Sequence, residues 1–305
     1  MNEIDDILRG IRQKDPRAIG RAISMVEEGD QRAGEILQIL DEEKVHTATI
    51  IGITGSPGVG KSTLVDQLIS YYRRQGLRIG IVAIDPSSPV SGGAFLGDRI
   101  RMMRHTIDQD VLIRSMATRG RLGGLCAAAG AAARIMASSG CNPVIVETVG
   151  IGQAEVDVVS LADITVLVFA PGLGDDIQAM KASLIEMADI LVVNKADCPG
   201  TDALVMEIES VIHGRNCPVC RTIALETAAI EELAAVIRDM DQKKRQNGQF
   251  AQNRQKARES EVLDWAVEMM RMRLKNQLKS KSRQIKGDPR MIAQKLIEEI
   301  CGSVR

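Results

Sequence analysis

The sequence predicts an α/β protein built on a mainly parallel, doubly wound sheet, with helical extensions at both ends. Three observations carry this expectation. Short apolar runs at 49–53, 79–84, 144–146, 164–169, 190–193 and 219–224 alternate with helix-length segments, as strands buried on both faces do. A glycine-rich loop at 55–62 follows the first run directly and opens into a helical pattern. Residues 1–46 and 241–305 have helical periodicity and no strand-like runs. The expected organisation is a helical extension over 1–46, a nucleotide-binding core over 47–240 and a helical arm over 241–305.

At the amino end, Ile4, Ile7, Leu8 and Ile11 recur at the spacing of one helix face. Asp15-Pro16 has the form of an N-cap followed by proline at the first helical position, and Ile19, Ala22, Ile23 and Val26 continue the pattern. A third stripe, Ala33, Ile36, Leu37 and Leu40, starts after Asp30, a candidate cap. At the carboxyl end, 241–305 holds 16 basic and 8 acidic residues, a local +8 that leaves -9 on the rest, since the whole chain is -1. There Val262, Ala266, Met269, Met270, Leu274 and Leu278 form an apolar stripe that a single helix cannot bury by itself. It predicts a contact with the body of the protein or with a second copy.

Composition narrows the function. With 305 residues, 45% of them hydrophobic and 26% charged, the chain is an ordinary globular sequence with a near-neutral balance that names no polyanionic partner. Aromatic residues make up only 2%, too few for base-stacking platforms, so nucleic-acid binding is not expected. No apolar run of membrane-spanning length and no signal-peptide pattern occurs, which predicts a cytoplasmic protein away from the membrane. The six scattered cysteines fit reduced thiols. Cys217 and Cys220 form a CxxC with His213 nearby, and this offers three metal ligands where a zinc site needs four.

The chemistry lies in the loops after the strands, where doubly wound sheets bind ligands. Gly55, Ser56, Pro57, Gly58, Val59, Gly60, Lys61 and Ser62, with Thr63 next, match GxxxxGK[ST] between a strand and a helix, the setting of a P-loop NTPase. Backbone N–H groups of such a loop curl around phosphate, the helix N-terminus adds its positive end, Lys61 reaches the β/γ oxygens and Ser62 ligates Mg²⁺. Asn194, Lys195, Ala196 and Asp197 follow the fifth run. A carboxylate there accepts from the N1–H and 2-amine of guanine, donors that adenine lacks, so the motif selects GTP over ATP. Ala224 and Leu225 are placed to offer a backbone N–H to the guanine carbonyl. Glu147-Thr148-Val149-Gly150 ends the third run with the spacing of a DxxG element, glutamate replacing aspartate. Glu147 is expected to hold Mg²⁺ through water and Gly150 to sense the γ-phosphate. Asp85 and Asp98 supply further acids for the metal or the attacking water.

Asp85-Pro86-Ser87-Ser88, Leu96-Gly97-Asp98-Arg99, Arg119-Gly120-Arg121-Leu122-Gly123-Gly124, Glu147 through Gln153 and Pro171-Gly172-Leu173-Gly174-Asp175-Asp176 together resemble the MeaB and MMAA type of G protein, often labelled ArgK. The resemblance spans about 47–233. It implies a homodimeric GTPase chaperone of an adenosylcobalamin-dependent acyl-CoA mutase, such as methylmalonyl-CoA mutase, using GTP, GDP and Mg²⁺. By this likeness Lys61, Asp85, Glu147 and Lys181 serve the reaction, Ser62, Asp85, Asp98 and Glu147 surround the metal, and 172–181 couples nucleotide to partner. Asp176 stands where the family commonly has Glu, and Ala179-Met180 where it commonly has Gly-Ile. Two other readings stay open at this point: a nickel-insertion metallochaperone GTPase, disfavoured by only three histidines, and an ATP-dependent transport-accessory kinase, disfavoured by Asn194 and Asp197.

Overall fold

The computed structural model describes residues 3–85, 103–117, 124–148, 154–172, 182–224, 226–280 and 287–302. Four short helices come first: α1 (Glu3–Arg12), α2 (Pro16–Glu28), α3 (Ala33–Gln38) and α4 (Glu42–Thr47). Asp15 caps α2, its carboxylate accepting from Arg17 N at 3.0 Å with Pro16 at the first turn, and Gly29 closes that helix in the left-handed region. Asp30 does not cap α3 as expected. Its carboxylate accepts from Arg32 N at 2.9 Å and pairs with the Arg32 guanidinium, forming a turn that delays the helix to Ala33.

The core then alternates β1 (Ile50–Thr54), α5 (Lys61–Arg74), β2 (Ile79–Asp85), β3 (Val111–Ala117), α6 (Gly124–Ser138), β4 (Val144–Thr148), α7 (Ala154–Leu161), β5 (Ile164–Phe169), α8 (Ala182–Met187), β6 (Ile190–Asn194), α9 (Thr201–Val211) and β7 (Val219–Thr222). A short 3₁₀ turn, Met103–His105, precedes β3. Helices α10 (Thr227–Gln246), α11 (Gln249–Ser280) and α12 (Pro289–Gly302) complete the chain, so position 241 lies inside a helix. The strands form one parallel sheet in the order β3-β2-β4-β1-β5-β6-β7, with β1 central.

Because strand side chains alternate, each strand feeds two cores. Ile51, Ile53, Ile79, Ile81, Ile145, Val166 and Val192 pack under Leu64, Leu68, Ile230 and Leu233 of α5 and α10. On the opposite face, Ile50, Val82, Val144 and Val146 meet α6 and the amino-terminal helices, while Leu167, Phe169, Leu191 and Val193 meet α8 and α9. The amino-terminal helices are therefore part of the core packing: Ile4, Ile11, Ile19, Ile23 and Ile36 share one cluster with the sheet.

The root of the carboxyl arm is tied to the amino ends of β1, β5 and β6. Asp163, buried just before β5, accepts from Ile50 N at 2.7 Å and from Arg254 Nη2 at 2.6 Å, and Arg254 also donates to Ala48 O at 2.9 Å. Lys244 Nζ donates to Asp163 O at 2.8 Å and pairs with Asp189 at 2.6 Å, while Asp189 accepts from Thr165 N at 2.8 Å. Buried charges persist where they are paired and hydrogen-bonded like this, and removing one partner strands the others. Farther along α11, Val262, Leu263, Val267 and Met269 are more than half exposed, so the part of the expected stripe at 262, 266 and 269 is uncovered by this chain. The inward face carries Glu261, Trp265 and Glu268 instead; Arg134 of α6 donates to Glu261 at 2.7 Å. Among the described residues no helix is long and apolar enough to cross a membrane.

Candidate nucleotide site

The glycine-rich loop joins β1 to α5. Gly55, Gly58 and Gly60 take φ of 145°, 84° and 94°, conformations that L side chains rarely adopt. A Cβ on Gly55 would stand 2.2 Å from Val168 O, and one on Gly60 would stand 2.4 Å from Asn194 Nδ2. Both residues are glycine because the neighbouring chain leaves no room. Val59 is buried beneath the loop, whereas Pro57 and Gly58 are exposed and Ser56 is partly so. Lys61 opens α5 and is buried; its ammonium donates to Gly55 O at 2.6 Å and Ser56 O at 2.8 Å, which holds it against the loop it would serve. Thr63 is exposed on the first turn.

Strand parity brings Glu147 to Ser62. Ile145 packs on the α5 face, so Glu147, two residues on, points to that face at the end of β4. Ser62 Oγ donates to Glu147 Oε1 at 2.7 Å, and Glu147 is 3% exposed. Next to it Thr148 Oγ1 donates to Thr54 Oγ1 at 3.0 Å, bonding the ends of β4 and β1. A hydroxyl and a carboxylate meeting beside a phosphate loop are hard oxygen donors of the type Mg²⁺ takes, and that ion uses one or two protein ligands with phosphate and water completing its shell. The residues therefore fit the ion. No cluster of three His, Cys, Asp or Glu residues suited to holding a metal by themselves occurs among the described residues.

The ends of β6 and β7 carry the residues that the sequence assigns to the base. Asn194 is buried, with Nδ2 donating to Val59 O at 2.8 Å and Oδ1 accepting from Thr222 Oγ1 at 3.2 Å. Lys195 takes φ of 55° and sends Nζ to Gly58 O at 2.8 Å. Ala196 N donates to Thr222 O at 3.1 Å, and Asp197 is exposed at the tip of the turn. Ala224 is buried just past β7. The phosphate loop and the Asn194–Asp197 turn are thus one hydrogen-bonded unit. Thr222, which fixes the Asn194 amide, escaped the sequence reading; a hydroxyl closing the last strand is the signal that could have found it.

Asp85 ends β2 with its backbone in register with Ala117, one residue past the Ile84–Thr148 pair, and its side chain lies outside the described part. Asp98, Gly150, Lys181 and Leu225, with 118–123 and 173–181, also lie outside the described residues. The cysteine pair has an ordinary environment. Cys217 Sγ donates to Asp189 O at 3.4 Å, Cys220 is buried in the α10 core, and His213 is exposed. Burial raises both thiols, Cys220 to about 11, so neither is a thiolate at neutral pH in the free protein.

Comparison with known proteins places this geometry. A family model described as methylmalonyl Co-A mutase-associated GTPase MeaB matches residues 19–283. A Pyrococcus abyssi protein named as a GTPase is 45% identical over 272 residues, which cover 85% of this chain and 82% of that one. The mouse mitochondrial methylmalonic aciduria type A homolog is 33% identical over 207 residues, 64% of this chain and 50% of that one. In fold the chain is similar to the crystal structure of an LAO/AO transport system kinase, with a TM-score of 0.68 at 24% identity over 98% of this chain and 99% of the other. A glycine-rich loop of P-loop pattern after β1, an Asn-Lys-Ala-Asp turn bonded to it after β6 and a match over most of the length converge on one conclusion: the chain belongs to the MeaB family of methylmalonyl-CoA mutase-associated GTPases and is a P-loop enzyme that hydrolyses GTP.

Proposed function

We propose that this GTPase is a cytoplasmic, homodimeric chaperone that gates adenosylcobalamin loading and protects or reactivates a B12-dependent acyl-CoA mutase such as methylmalonyl-CoA mutase. The family model, which names its members as mutase-associated, supports the client, and the Ser62–Glu147 contact carries the switch reading. Glu147 sits two residues before the 149–153 stretch that leads into α7, and α7 packs on α11. A group arriving between Ser62 and Glu147 must break their 2.7 Å hydrogen bond, so occupancy of the phosphate site bears on the strand end that leads to the arm. Ser62 and Glu147, with Asp85 and Asp98, would hold Mg²⁺, which when bound neutralises charge on the phosphates. Lys61 withdraws from Gly55 O and Ser56 O to meet the β/γ-phosphates, Gly150 senses the γ-phosphate, and Asp197 with the backbone at Ala224 and Leu225 reads guanine of GTP or GDP. Lys181 belongs to the loop that carries the signal to the mutase.

The uncovered stripe Val262, Leu263, Val267 and Met269 supports dimerisation through the arm over 241–305, with 47–240 as the nucleotide core and 1–46 as its helical extension. A symmetric contact lets one apolar stripe cover its own copy. The test is affinity capture on the tagged, full-length protein with purified adenosylcobalamin-dependent acyl-CoA mutase as prey, under GDP and under a non-hydrolysable GTP analogue. Capture that depends on the nucleotide and GTP turnover that rises with added mutase are expected. No capture and no stimulation by the mutase would overturn the client assignment while leaving the GTPase untouched.

A further inference from the structure

The sheet divides at the seam between β4 and β1 into two halves that carry different parts of the nucleotide site. On one side β1 leads into the phosphate loop and β6 into the Asn194–Asp197 turn; on the other, β4 carries Glu147 and lies beside β2 and β3. Backbone pairing across the seam ends at Ile53–Glu147. One residue on, Thr54 pairs with Leu167 of β5 and Thr148 with Ile84 of β2, so each strand end is held to its own half. Side chains bridge the seam at this level. On the α5 face Ser62 Oγ donates to Glu147 Oε1 at 2.7 Å, and on the opposite face Thr148 Oγ1 donates to Thr54 Oγ1 at 3.0 Å.

Thr54 follows Ile50 and Gly52 on one face of β1, and Thr148 follows Val144 and Val146 on the same side of β4. Both threonines are fully buried, and the face they share is covered by α7, whose Val158 and Ala162 would stand 2.7 and 2.8 Å from a Cβ on Gly52. Valine is close to threonine in shape and would fill these positions without burying a hydroxyl, which is costly unless it is bonded. What the pair adds is direction, a bond that fixes one strand end against the other. A group arriving between Ser62 and Glu147 breaks the contact on the α5 face and leaves the hydroxyl pair to bridge the seam. We infer that Thr54 and Thr148 are positioning residues for GTP hydrolysis, a clasp that keeps Glu147 set against the phosphate loop while the Ser62–Glu147 contact is open. The inference rests on the reading of Glu147 as a metal-side acid.

In Thr148→Val the Mg²⁺ concentration for half-maximal GTP turnover is expected to rise about five-fold and kcat to fall about ten-fold, while GDP affinity measured without Mg²⁺ stays within about two-fold. Thr148→Ser keeps the hydroxyl and loses a packed methyl group, so it should hold kcat and the Mg²⁺ requirement within about two-fold of the parent protein. Thr54→Val reaches the same bond from the other strand and should match Thr148→Val. The double valine variant should lose no more activity than either single one, with a Tm at or above theirs, since it leaves no buried hydroxyl unpaired. A parental kcat and Mg²⁺ requirement in Thr148→Val, a Thr148→Ser as impaired as Thr148→Val, or losses that multiply in the double variant would reduce the pair to packing and overturn the inference. Glu147→Ala is the control. A Mg²⁺ dependence identical to the parent's would overturn the metal-side role of Glu147 and the clasp with it, whereas an altered one beside a parental Thr148→Val overturns the clasp alone.

Discussion

Gly60→Ala probes the joint between phosphate loop and base turn. Gly60 has φ of 94°, and an added Cβ would lie 2.4 Å from Asn194 Nδ2. The left-handed backbone costs an alanine about 1–2 kcal/mol. The amide must then move, losing its 2.8 Å bond to Val59 O. Asn194 is 2% exposed, so a displaced donor and an abandoned carbonyl add about 1–3 kcal/mol. The total is about 2–5 kcal/mol, and about 3 kcal/mol placed on the bound state corresponds to roughly a hundred-fold weaker nucleotide. Isothermal titration with GDP and with GTP, alongside a thermal melt, separates binding from folding. Affinity within about three-fold of the parent protein, with an unchanged melt, would mean that the loop tolerates the methyl group and that the Gly60–Asn194 joint does not set nucleotide binding.

Asp197→Asn should weaken GTP and gain xanthosine triphosphate, since the amide suits the 2-oxygen of xanthine; unaltered GTP affinity in a competition assay would dismiss the base assignment. Lys61→Ala should abolish turnover, removing on the order of several kcal/mol of transition-state stabilisation, and Glu147→Ala should weaken the Mg²⁺ dependence. A steady-state phosphate-release assay at parental rate would contradict either role. Truncation after Lys256 keeps Lys244, Arg254 and their Asp163 and Asp189 partners, so it should give a monomer that still binds GTP. Light scattering that still finds a dimer would place the interface elsewhere. Between α7 and α11, Asp157 is raised by burial and then by Asp264, and Glu261 and Asp264 are raised by burial, with Arg134 and Arg258 opposing the shift at Glu261. Carboxylates raised on folding bind more protons folded than unfolded, so this contact should tighten as pH falls from neutral toward the ordinary carboxylate range. Hydrogen exchange in α11, corrected for intrinsic rates, should slow over that window; constant or falling protection would refute the assignment.

Strands β1, β2, β4, β5 and β6 were legible because both their faces are buried, which leaves uninterrupted apolar runs such as Ile164–Phe169, whereas β7, an edge strand with Arg221 exposed, was legible only as the longer run 219–224. Strand β3 was not, and its place explains why. It is an edge strand, and Arg114 in its middle reaches across to Ser24 and Glu27 of α2, so a basic residue breaks the run. Helix α4 is six residues long, too short to display a period. The site divides the same way. The residues of the loop and the Asn194–Asp197 turn could be read from local spacing, but the Gly60–Asn194 approach depends on β1, β5, β6 and β7 lying side by side, and sequence distance carries no trace of it. Lys195 in the left-handed region is likewise fixed by its bond to Gly58, a neighbour only in space.

The tether of Arg254 to Asp163 lies at the amino ends of the interior strands β1 and β5, at the opposite end of β1 from the phosphate loop, and α11 runs on from it for another 26 residues to Ser280. At about 1.5 Å per residue this is a lever roughly 39 Å long with its fulcrum at the amino ends of the strands. A rotation of about 5° at that fulcrum sweeps the far end through about 3 Å, the scale at which apolar side chains gain or lose contact. The same rotation moves Met269, about 22 Å along the helix from Arg254, by about 2 Å and Val262, about 12 Å along, by about 1 Å, so the exposed stripe shifts in a graded way along its length.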